Sequence, residues 1–266
     1  MIRRMRIVSL TAVMVAAGII LTGCRKPEQP AQTAPPEQSK AETPAQPVTP
    51  TPAEIKPGTT TASKPAEASR NYTKELLSPA KLKEKAPETY KVKFDTTRGE
   101  FTISVTRAWA PLGADRFYNL VKHHFYDGAA FFRVVPNFVV QFGISANPSV
   151  SGAWKHTEIK DDPVTQSNKR GTITFATAGP NTRTTQVFIS LKDNGRLDSM
   201  GFAPFGVVDG KGMNVVEMMY EGYGDSAGPD QDQLEKQGDP YVKKGWPKLD
   251  SIKSASLVGT SASDKH

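Results

Sequence analysis

The chain has 266 residues, with 34 lysines and arginines against 27 acidic residues, 21 prolines and one cysteine. This length is enough for one large domain or two small ones. The apolar share of 37% is low for a chain that folds throughout, so we expect part of it to stay unfolded. A single cysteine excludes a disulfide framework and a zinc site built on paired cysteines. The formal charge of +7 brings nucleic acid and anionic lipid into consideration as partners.

The first 24 residues have the pattern of an export signal. A basic stretch, Met1–Arg6, precedes an apolar run over residues 7–21, which is shorter than the roughly 20 residues of a membrane-spanning helix. The following Leu21-Thr22-Gly23-Cys24 resembles the bacterial lipobox, in which the leader is removed and the cysteine is acylated. We therefore expect residues 1–23 to be a lipoprotein signal peptide and Cys24 to carry lipid, including palmitate, that anchors the chain to a membrane. The alternative is an incidental cysteine in a plain signal peptide or anchor.

Residues 24–86 differ in composition from the rest of the chain. Ten of the 21 prolines lie between Arg25 and Arg70, and all aromatic residues lie at or after Tyr72. Such a segment buries too little apolar surface to offset its chain entropy, so we predict a disordered linker. The linker would separate a domain from the membrane, or alternatively would be a ligand for a proline-binding module.

The excess positive charge lies in the leader and the linker. Residues 24–86 carry 10 basic and 7 acidic side chains, whereas residues 87–266 carry 21 and 20. A nearly neutral domain lacks the basic surface that nucleic acid binding requires. We therefore expect no nucleic acid partner.

Residues 87–266 have the pattern of one mainly β domain. Apolar and polar residues alternate over Tyr90–Phe94 and Phe101–Val105, which predicts a hairpin with one buried face. Further strands are predicted over Ala130–Val135, Phe138–Phe142, Gly171–Ala176, Gln186–Leu191, Phe205–Val208 and Lys248–Leu257. Helices are predicted from Pro111 to an end at Tyr126–Gly128, and over Met213–Met219. Because the strands follow one another without βαβ alternation, we predict a closed or nearly closed antiparallel barrel with two helices.

Polar residues interrupt these apolar strands. Arg133 lies in the middle of a strand, where a buried and unpaired guanidinium would be costly. The alternation of side chains puts Val139 and Gln141 on one face of their strand, and Gln186 and Phe188 on one face of another. These residues could form a binding site or a buried Arg–Gln hydrogen-bond network that sets strand register, and their pattern does not separate the two.

The stretch Phe132–Gln141 resembles the signature of the cyclophilins, which are peptidyl-prolyl cis-trans isomerases (rotamases), in the spacing RxxPxFxxQ. Three further stretches resemble the same family in order and spacing: Phe117–Gly128, Phe175–Ile189 and Leu197–Gly206. The resemblance begins near Val92 and runs to the C-terminus. It implies a closed eight-stranded antiparallel barrel with two capping helices over residues 87–266.

The resemblance also implies a site without metal or cofactor, because nothing is cleaved when an amide bond rotates. Arg133 would be the catalytic donor to the proline nitrogen, and Gln141 would orient it. The substrate-binding residues implied are Phe138, Val139, Phe188 and Leu197 in an apolar pocket, Ala176, Thr177 and Gln186 along the peptide backbone, and Phe202 where the family usually has His or Tyr. Two departures are Thr177, which replaces the usual Asn, and Arg196, which stands where many cyclophilins carry Trp.

These features predict an isomerase that rotates X–Pro bonds in polypeptides and assists the folding of exported proteins. It would act as a monomer at the bacterial cell envelope, with the domain in the periplasm or another extracytoplasmic space and lipid on Cys24 in the membrane. The alternative is a catalytically weak module or scaffold that binds proline-containing segments on the same tether. Residues 144–169 and 221–244 carry no motif that bears on this choice.

Overall fold

The computed structural model of the protein describes residues 73–259. The predicted signal peptide, Cys24 and the greater part of the predicted linker lie outside the described residues. Within residues 73–259, none of the helices has the length and apolar composition needed to cross a membrane.

Eight strands of residues 73–259 form one antiparallel sheet, in the order β3-β4-β6-β5-β7-β2-β1-β8. Their bounds are β1 Thr89–Thr96, β2 Gly99–Thr106, β3 Arg133–Val135, β4 Val139–Phe142, β5 Thr172–Phe175, β6 Val187–Ser190, β7 Pro204–Val208 and β8 Ile252–Val258. The residues just before β3 and β8 bring the two ends of the sheet together: Ala130 bridges Ser251, and the Phe131 amide donates to the Asp250 carbonyl oxygen at 2.9 Å. The predicted eight-stranded antiparallel fold is confirmed.

The alternation of side chains along the strands divides the interior of the barrel from the site. In β4, Val140 and Phe142 belong to the main core, whereas Val139 belongs to a separate small apolar cluster on the other face. In β6, Ile189 packs into the main core, and Phe188 joins the cluster with Val139. Successive side chains of a strand point to opposite faces, so one run of apolar residues supplies both the core and the site.

In the described part of the chain, five α-helices accompany the sheet: α1 Pro111–Lys122, α2 Pro148–Trp154, α3 Gly212–Val216, α4 Gln231–Gln237 and α5 Asp239–Gly245. The four 3₁₀ helices of the same residues cover Lys74–Leu77, Pro79–Lys81, Arg107–Trp109 and Gly195–Met200. The predicted helix from Pro111 is confirmed as α1, but α1 ends at Lys122, before the predicted end at Tyr126–Gly128. The helix α3 covers the first part of the second predicted helix. The other three lie in the segments without motifs, where helices of seven residues are too short to show a periodic pattern.

Residues 73–86 pack on the domain, although the sequence placed them in the linker. The Leu76 side chain is fully buried in the main core, and its carbonyl oxygen accepts a hydrogen bond from the Trp154 indole at 2.8 Å. Asn119 Nδ2 donates to the Glu84 carbonyl oxygen at 2.8 Å, and Asn119 Oδ1 accepts from the Glu84 backbone amide at 3.1 Å. Residues 73–86 are therefore part of the folded domain in the described structure, ahead of the predicted boundary at Pro87. One buried leucine and a few hydrogen bonds hold this segment on the domain. The average composition of the segment does not reveal such contacts, because they depend on single residues.

Candidate active site

The hairpin of β3 and β4 places Arg133 directly opposite Gln141. The turn between the strands contains Asn137 in the left-handed region (φ 55°), a conformation that asparagine tolerates better than most residues. The pairing of β3 with β4 sets the side chains of Arg133 and Gln141 next to each other, and Arg133 Nη1 donates to Gln141 Oε1 at 3.0 Å. Arg133 also donates through Nε to Asp225 Oδ1 at 2.5 Å, a contact that sequence analysis did not detect.

The neighbouring strand extends this pair into a chain of three side chains. Gln141 Nε2 donates to Gln186 Oε1 at 2.9 Å, so both ends of the Gln141 amide are used. Close approach of the two strands depends on Gly143, because a Cβ there would lie 2.5 Å from the Thr185 carbonyl oxygen. Gln141 is buried, while the Arg133 side chain remains 25% exposed, so the guanidinium is both held and accessible.

A small apolar cluster lies beside the polar chain. It consists of buried Val139, Phe188 and Leu197, with half-buried Phe138, Ala176 and Phe202 packed against it. The rings of Phe188 and Phe202 meet edge to face, with 5.6 Å between their centres. The guanidinium carbon of Arg133 lies 5.7 Å from the centre of the Phe138 ring. A cationic donor is thus held next to an apolar surface that is partly open to solvent.

Arg196 also lies against this cluster. Its guanidinium carbon is 4.9 Å from the centre of the Phe138 ring, so two cations lie close to this ring. The Arg196 side chain is exposed, in contrast to that of Arg133.

Asn168, which is fully buried, holds the loop that carries Leu197 and Phe202 in place by hydrogen bonds. Asn168 Nδ2 donates to Asp198 Oδ1 at 2.7 Å and to the Phe202 carbonyl oxygen at 2.8 Å. Burial works to raise the pKa of Asp198, but hydrogen bonds from Ser167 and Asn168 outweigh burial and hold the pKa below its usual value. Asp198 therefore stays ionised at neutral pH and continues to accept from Asn168.

Thr177 differs from the other predicted site residues. Its neighbour Ala176 is paired with Gln186, since the Ala176 amide donates to the Gln186 carbonyl oxygen at 2.9 Å. The Thr177 hydroxyl, however, bonds to the Gly179 carbonyl oxygen and lies 2.8 Å from the Thr182 hydroxyl oxygen. The Thr177 side chain is therefore engaged in its own turn.

The structure brings together most of the residues that the sequence predicted, and it adds two. Arg133, Gln141 and Gln186 form the polar chain, and the predicted apolar residues form the adjoining cluster. Sequence analysis missed Asp225 and Asn168, which lie in segments that carry no motif. Within residues 73–259, no group of three or more His, Cys, Asp or Glu side chains is arranged to hold a metal ion.

Comparisons with known proteins match the same part of the chain. Residues 91–237 match the family described as Cyclophilin type peptidyl-prolyl cis-trans isomerase/CLD. A peptidyl-prolyl cis-trans isomerase of Acinetobacter baylyi is 36% identical over 132 residues, covering 47% of this chain and 69% of that protein. A peptidyl-prolyl cis-trans isomerase-like 1 of Emericella nidulans is 32% identical over 131 residues, covering 48% of this chain and 80% of that protein.

A solved structure of a cyclophilin type peptidyl-prolyl cis-trans isomerase from Cryptosporidium parvum superposes with a TM-score of 0.47. It is 20% identical, and the match covers 64% of this chain and 97% of that one. The family match spans more than half of this chain, and the first relative above shares over 30% of its residues across more than two thirds of its own length. This chain therefore belongs to the cyclophilin-type peptidyl-prolyl cis-trans isomerase family.

Proposed function

We propose that this member of the family rotates X–Pro bonds in exported polypeptides, with Arg133 as the catalytic donor and Gln141 as the residue that orients it. The observation that carries the proposal is the 3.0 Å hydrogen bond from Arg133 Nη1 to Gln141 Oε1, next to the apolar cluster around Phe188. The guanidinium of arginine is a cation with five N–H donors in a planar arrangement, which suits it to donate to a developing lone pair.

The peptide bond itself defines what such a site must do. Rotation about C–N has a barrier of roughly 18–20 kcal/mol, because resonance gives the bond double-bond character. A catalyst must bind the twisted amide more tightly than either planar form. In the twisted amide the proline nitrogen regains a lone pair, and a preorganised cationic donor stabilises it. Arg133, held by Gln141, meets this requirement without a nucleophile.

The apolar cluster supplies binding of the proline ring. Phe138, Val139, Phe188 and Leu197 would pack against the pyrrolidine ring, with Phe202 at the edge. Ala176, Thr177 and Gln186 would contact the backbone of the preceding substrate residues. Because the Thr177 hydroxyl is engaged in its own turn, its contribution would come from the main chain.

The cellular role rests on the pattern at the N-terminus. The basic stretch, the apolar run and the lipobox-like Leu21–Cys24 support export and acylation of Cys24. A domain tethered outside the inner membrane would meet exported chains that have not yet folded. Slow X–Pro isomerisation, which takes tens to hundreds of seconds unaided, limits the folding of many such chains.

The catalytic proposal is tested with Arg133→Ala and Arg133→Lys in an NMR exchange assay on a short X–Pro peptide. Loss of the donor should lower kcat/KM by about 10²–10³-fold, by analogy with removal of other preorganised donors. Peptide binding, followed by titration, should weaken much less. If wild type and Arg133→Ala are equally inactive while both bind peptide, the protein is a binding module and the enzymatic proposal fails.

The anchoring proposal is tested with the full chain produced in a bacterium. Wild type should partition into the detergent phase of a cloud-point extraction, and Cys24→Ala should move to the aqueous phase because it lacks acyl chains. Equal partitioning of the two proteins into detergent would refute acylation at Cys24.

A further inference from the structure

The segment between α3 and β8 brings a carboxylate to the proposed catalytic arginine. Asp225 Oδ1 accepts from Arg133 Nε at 2.5 Å, across 92 residues of sequence. The side chain of Asp225 is 63% exposed, so the pair lies at the rim of the site. Neither the resemblance to the family nor the strand pattern assigned a role to this segment.

The segment that carries Asp225 is built onto the barrel. Its helices α4 and α5 contribute Leu234 and Val242 to an apolar cluster that also contains Phe132, the residue just before Arg133. Close to Asp225, the Ala227 carbonyl oxygen accepts a hydrogen bond from the Trp246 indole at 2.7 Å. Asp225 is therefore placed by packing and by a backbone hydrogen bond as well as by its ion pair.

Two different nitrogens of the Arg133 guanidinium are fixed by two different elements. Nε donates to Asp225 and Nη1 donates to Gln141. Because the guanidinium is planar and rigid, two such bonds determine its position and its tilt. A single bond to Gln141 would leave the side chain free to swing about that contact.

The carboxylate could instead weaken catalysis by neutralising the cation. At a rim position, however, water screens the field of an exposed carboxylate, so its long-range effect on charge is small. The geometric effect of a short hydrogen bond is not screened in this way. The exposure and the short hydrogen bond of Asp225 therefore favour a role in orienting the Arg133 guanidinium over a role in weakening its charge.

We propose that Asp225 is a positioning residue for Arg133 that holds the guanidinium in the orientation needed for X–Pro rotation. The proposal rests on the proposed function, since it assigns Asp225 to the reaction at Arg133. Misplacement of a reacting group by about 1 Å can cost about 10²-fold in rate, so the expected effect is large enough to measure.

The test compares Asp225→Ala, Asp225→Asn and the control Asp232→Asn in the full chain. Asp232 is an exposed carboxylate of the same segment that pairs with Lys155 at 3.3 Å instead of with Arg133. We expect Asp225→Ala to lower kcat about 10-fold or more with little change in KM, because orientation acts on the transition state. Asp225→Asn, which keeps an oxygen acceptor for Nε, should fall between Ala and wild type. Asp232→Asn should match wild type.

A double-mutant cycle separates positioning from a general effect on folding. Lysine has no Nε–H donor of the guanidinium type, so in an Arg133→Lys background the loss of Asp225 should change kcat by less than about twofold. An equal loss in both backgrounds would overturn the proposal. So would unchanged or increased kcat in Asp225→Ala, since an increase would mean that the carboxylate attenuates the cation.

A measurement without turnover keeps the two proposals distinguishable. The ¹⁵N NMR signal of Arg133 Nε–H, identified by its absence in Arg133→Lys, should shift and exchange faster with water in Asp225→Ala but not in Asp232→Asn. If wild type is inactive, the proposed function fails. The Nε–H signal still shows whether Asp225 holds the Arg133 guanidinium. A signal that is the same in Asp225→Ala and wild type would overturn the positioning role of Asp225.

Discussion

Two guanidinium groups lie 5.7 and 4.9 Å from the centre of the Phe138 ring, and they differ in their partners. Arg133 is paired with Asp225 and bonded to Gln141. Arg196, in contrast, makes no ion pair within the described part of the chain, and its side chain is exposed. An unpaired cation next to the proposed substrate site should influence which flanking residues that site prefers.

Arg196 should favour substrates with an acidic residue close to the X–Pro bond. For peptides that differ only by Glu or Lys at one flanking position, we expect kcat/KM to favour Glu by about 2–5-fold, the size of an exposed charge interaction. The preference should shrink as salt rises, because exposed charges are screened. Arg196→Gln should remove it, and a preference that survives this change at low salt would contradict the assignment.

Asn168 is a second residue whose role depends on contacts rather than on exposure. It is buried and connects Asp198, Phe202 and the Thr174 hydroxyl, whose oxygen lies 2.9 Å from Asn168 Oδ1. Removing one member of such a network leaves buried partners unsatisfied.

Asn168→Ala should lower the free energy of unfolding by about 1–3 kcal/mol, the cost of unsatisfied buried polar groups. Urea denaturation measures this directly. Asn214→Ala, at an exposed position on α3, provides the control and should change stability by less than about 0.5 kcal/mol. Equal stability of the two variants would show that the network around Asp198 is not stabilising.

At the scale of elements, residues 73–86 belong to the domain, although their composition is that of the linker. Its 3₁₀ helix Lys74–Leu77 buries Leu76 completely and leaves Leu77 47% exposed. The two neighbouring leucines therefore make a matched pair for measuring how much this segment contributes.

Leu76→Ala should cost about 2–5 kcal/mol, because it loses buried surface and leaves a cavity. Leu77→Ala should cost less than about 0.5 kcal/mol, as expected for a surface position. Chemical denaturation of both variants provides the measurement. Similar small losses in both would show that the segment is not docked on the barrel in solution.

The same segment meets α1 at a histidine. The Thr73 hydroxyl lies 3.0 Å from His123 Nδ1, and His123 Nε2 is buried without a hydrogen-bond partner in the described structure. Burial lowers the pKa of His123, and Lys122 and His124 act in the same direction, against Glu84 and Glu75.

Stability should therefore fall as the pH drops. The unfolded chain binds a proton at His123 near its ordinary pKa of about 6.5, before the folded protein does, so protonation favours unfolding below that pH. The loss stops once the pH lies below the lowered pKa of the folded state. We expect the Tm to decrease between pH 7 and pH 5, and His123→Gln should reduce the decrease. An identical pH profile in that variant would exclude His123 as the source.

At the scale of the whole molecule, the site lies on the outer face of the barrel wall and the main core lies within. Every described side chain of the candidate site belongs to a residue at or after Arg133. Leu76, in contrast, lies near the start of the described residues and packs into the main core. Catalysis and stability should therefore respond differently to shortening of the chain.

A chain that begins at Thr73 should keep kcat/KM within about twofold of the full chain, because no group of the site is removed. A chain that begins at Pro87 loses the buried Leu76 and should unfold at a Tm lower by about 5 °C or more. Thermal unfolding followed by circular dichroism, together with the peptide assay, checks both. Loss of activity in the chain that begins at Thr73 would show that the site needs residues before it.

The sequence alone was sufficient wherever structure and chemistry are local. Period-two alternation placed Val139 and Gln141 on one face, and the resemblance to the cyclophilins implied that Gln141, only eight residues away, orients Arg133, as the register of β3 and β4 then shows. Residues this close along a hairpin have their contacts set by register, so spacing predicts them. The resemblance to the cyclophilins rests on such spacings.

The tertiary structure decided the contacts that cross the chain. Asp225 reaches Arg133 from 92 residues away, Asn168 fastens the loop of Phe202, and Leu76 enters the core from a segment with linker composition. None of these residues follows a periodic pattern, because each contacts a partner that is distant in the sequence. Sequence therefore determined the strands, the family and the polar chain of the site, while folding determined what holds the arginine, the loop and the first residues of the domain in place.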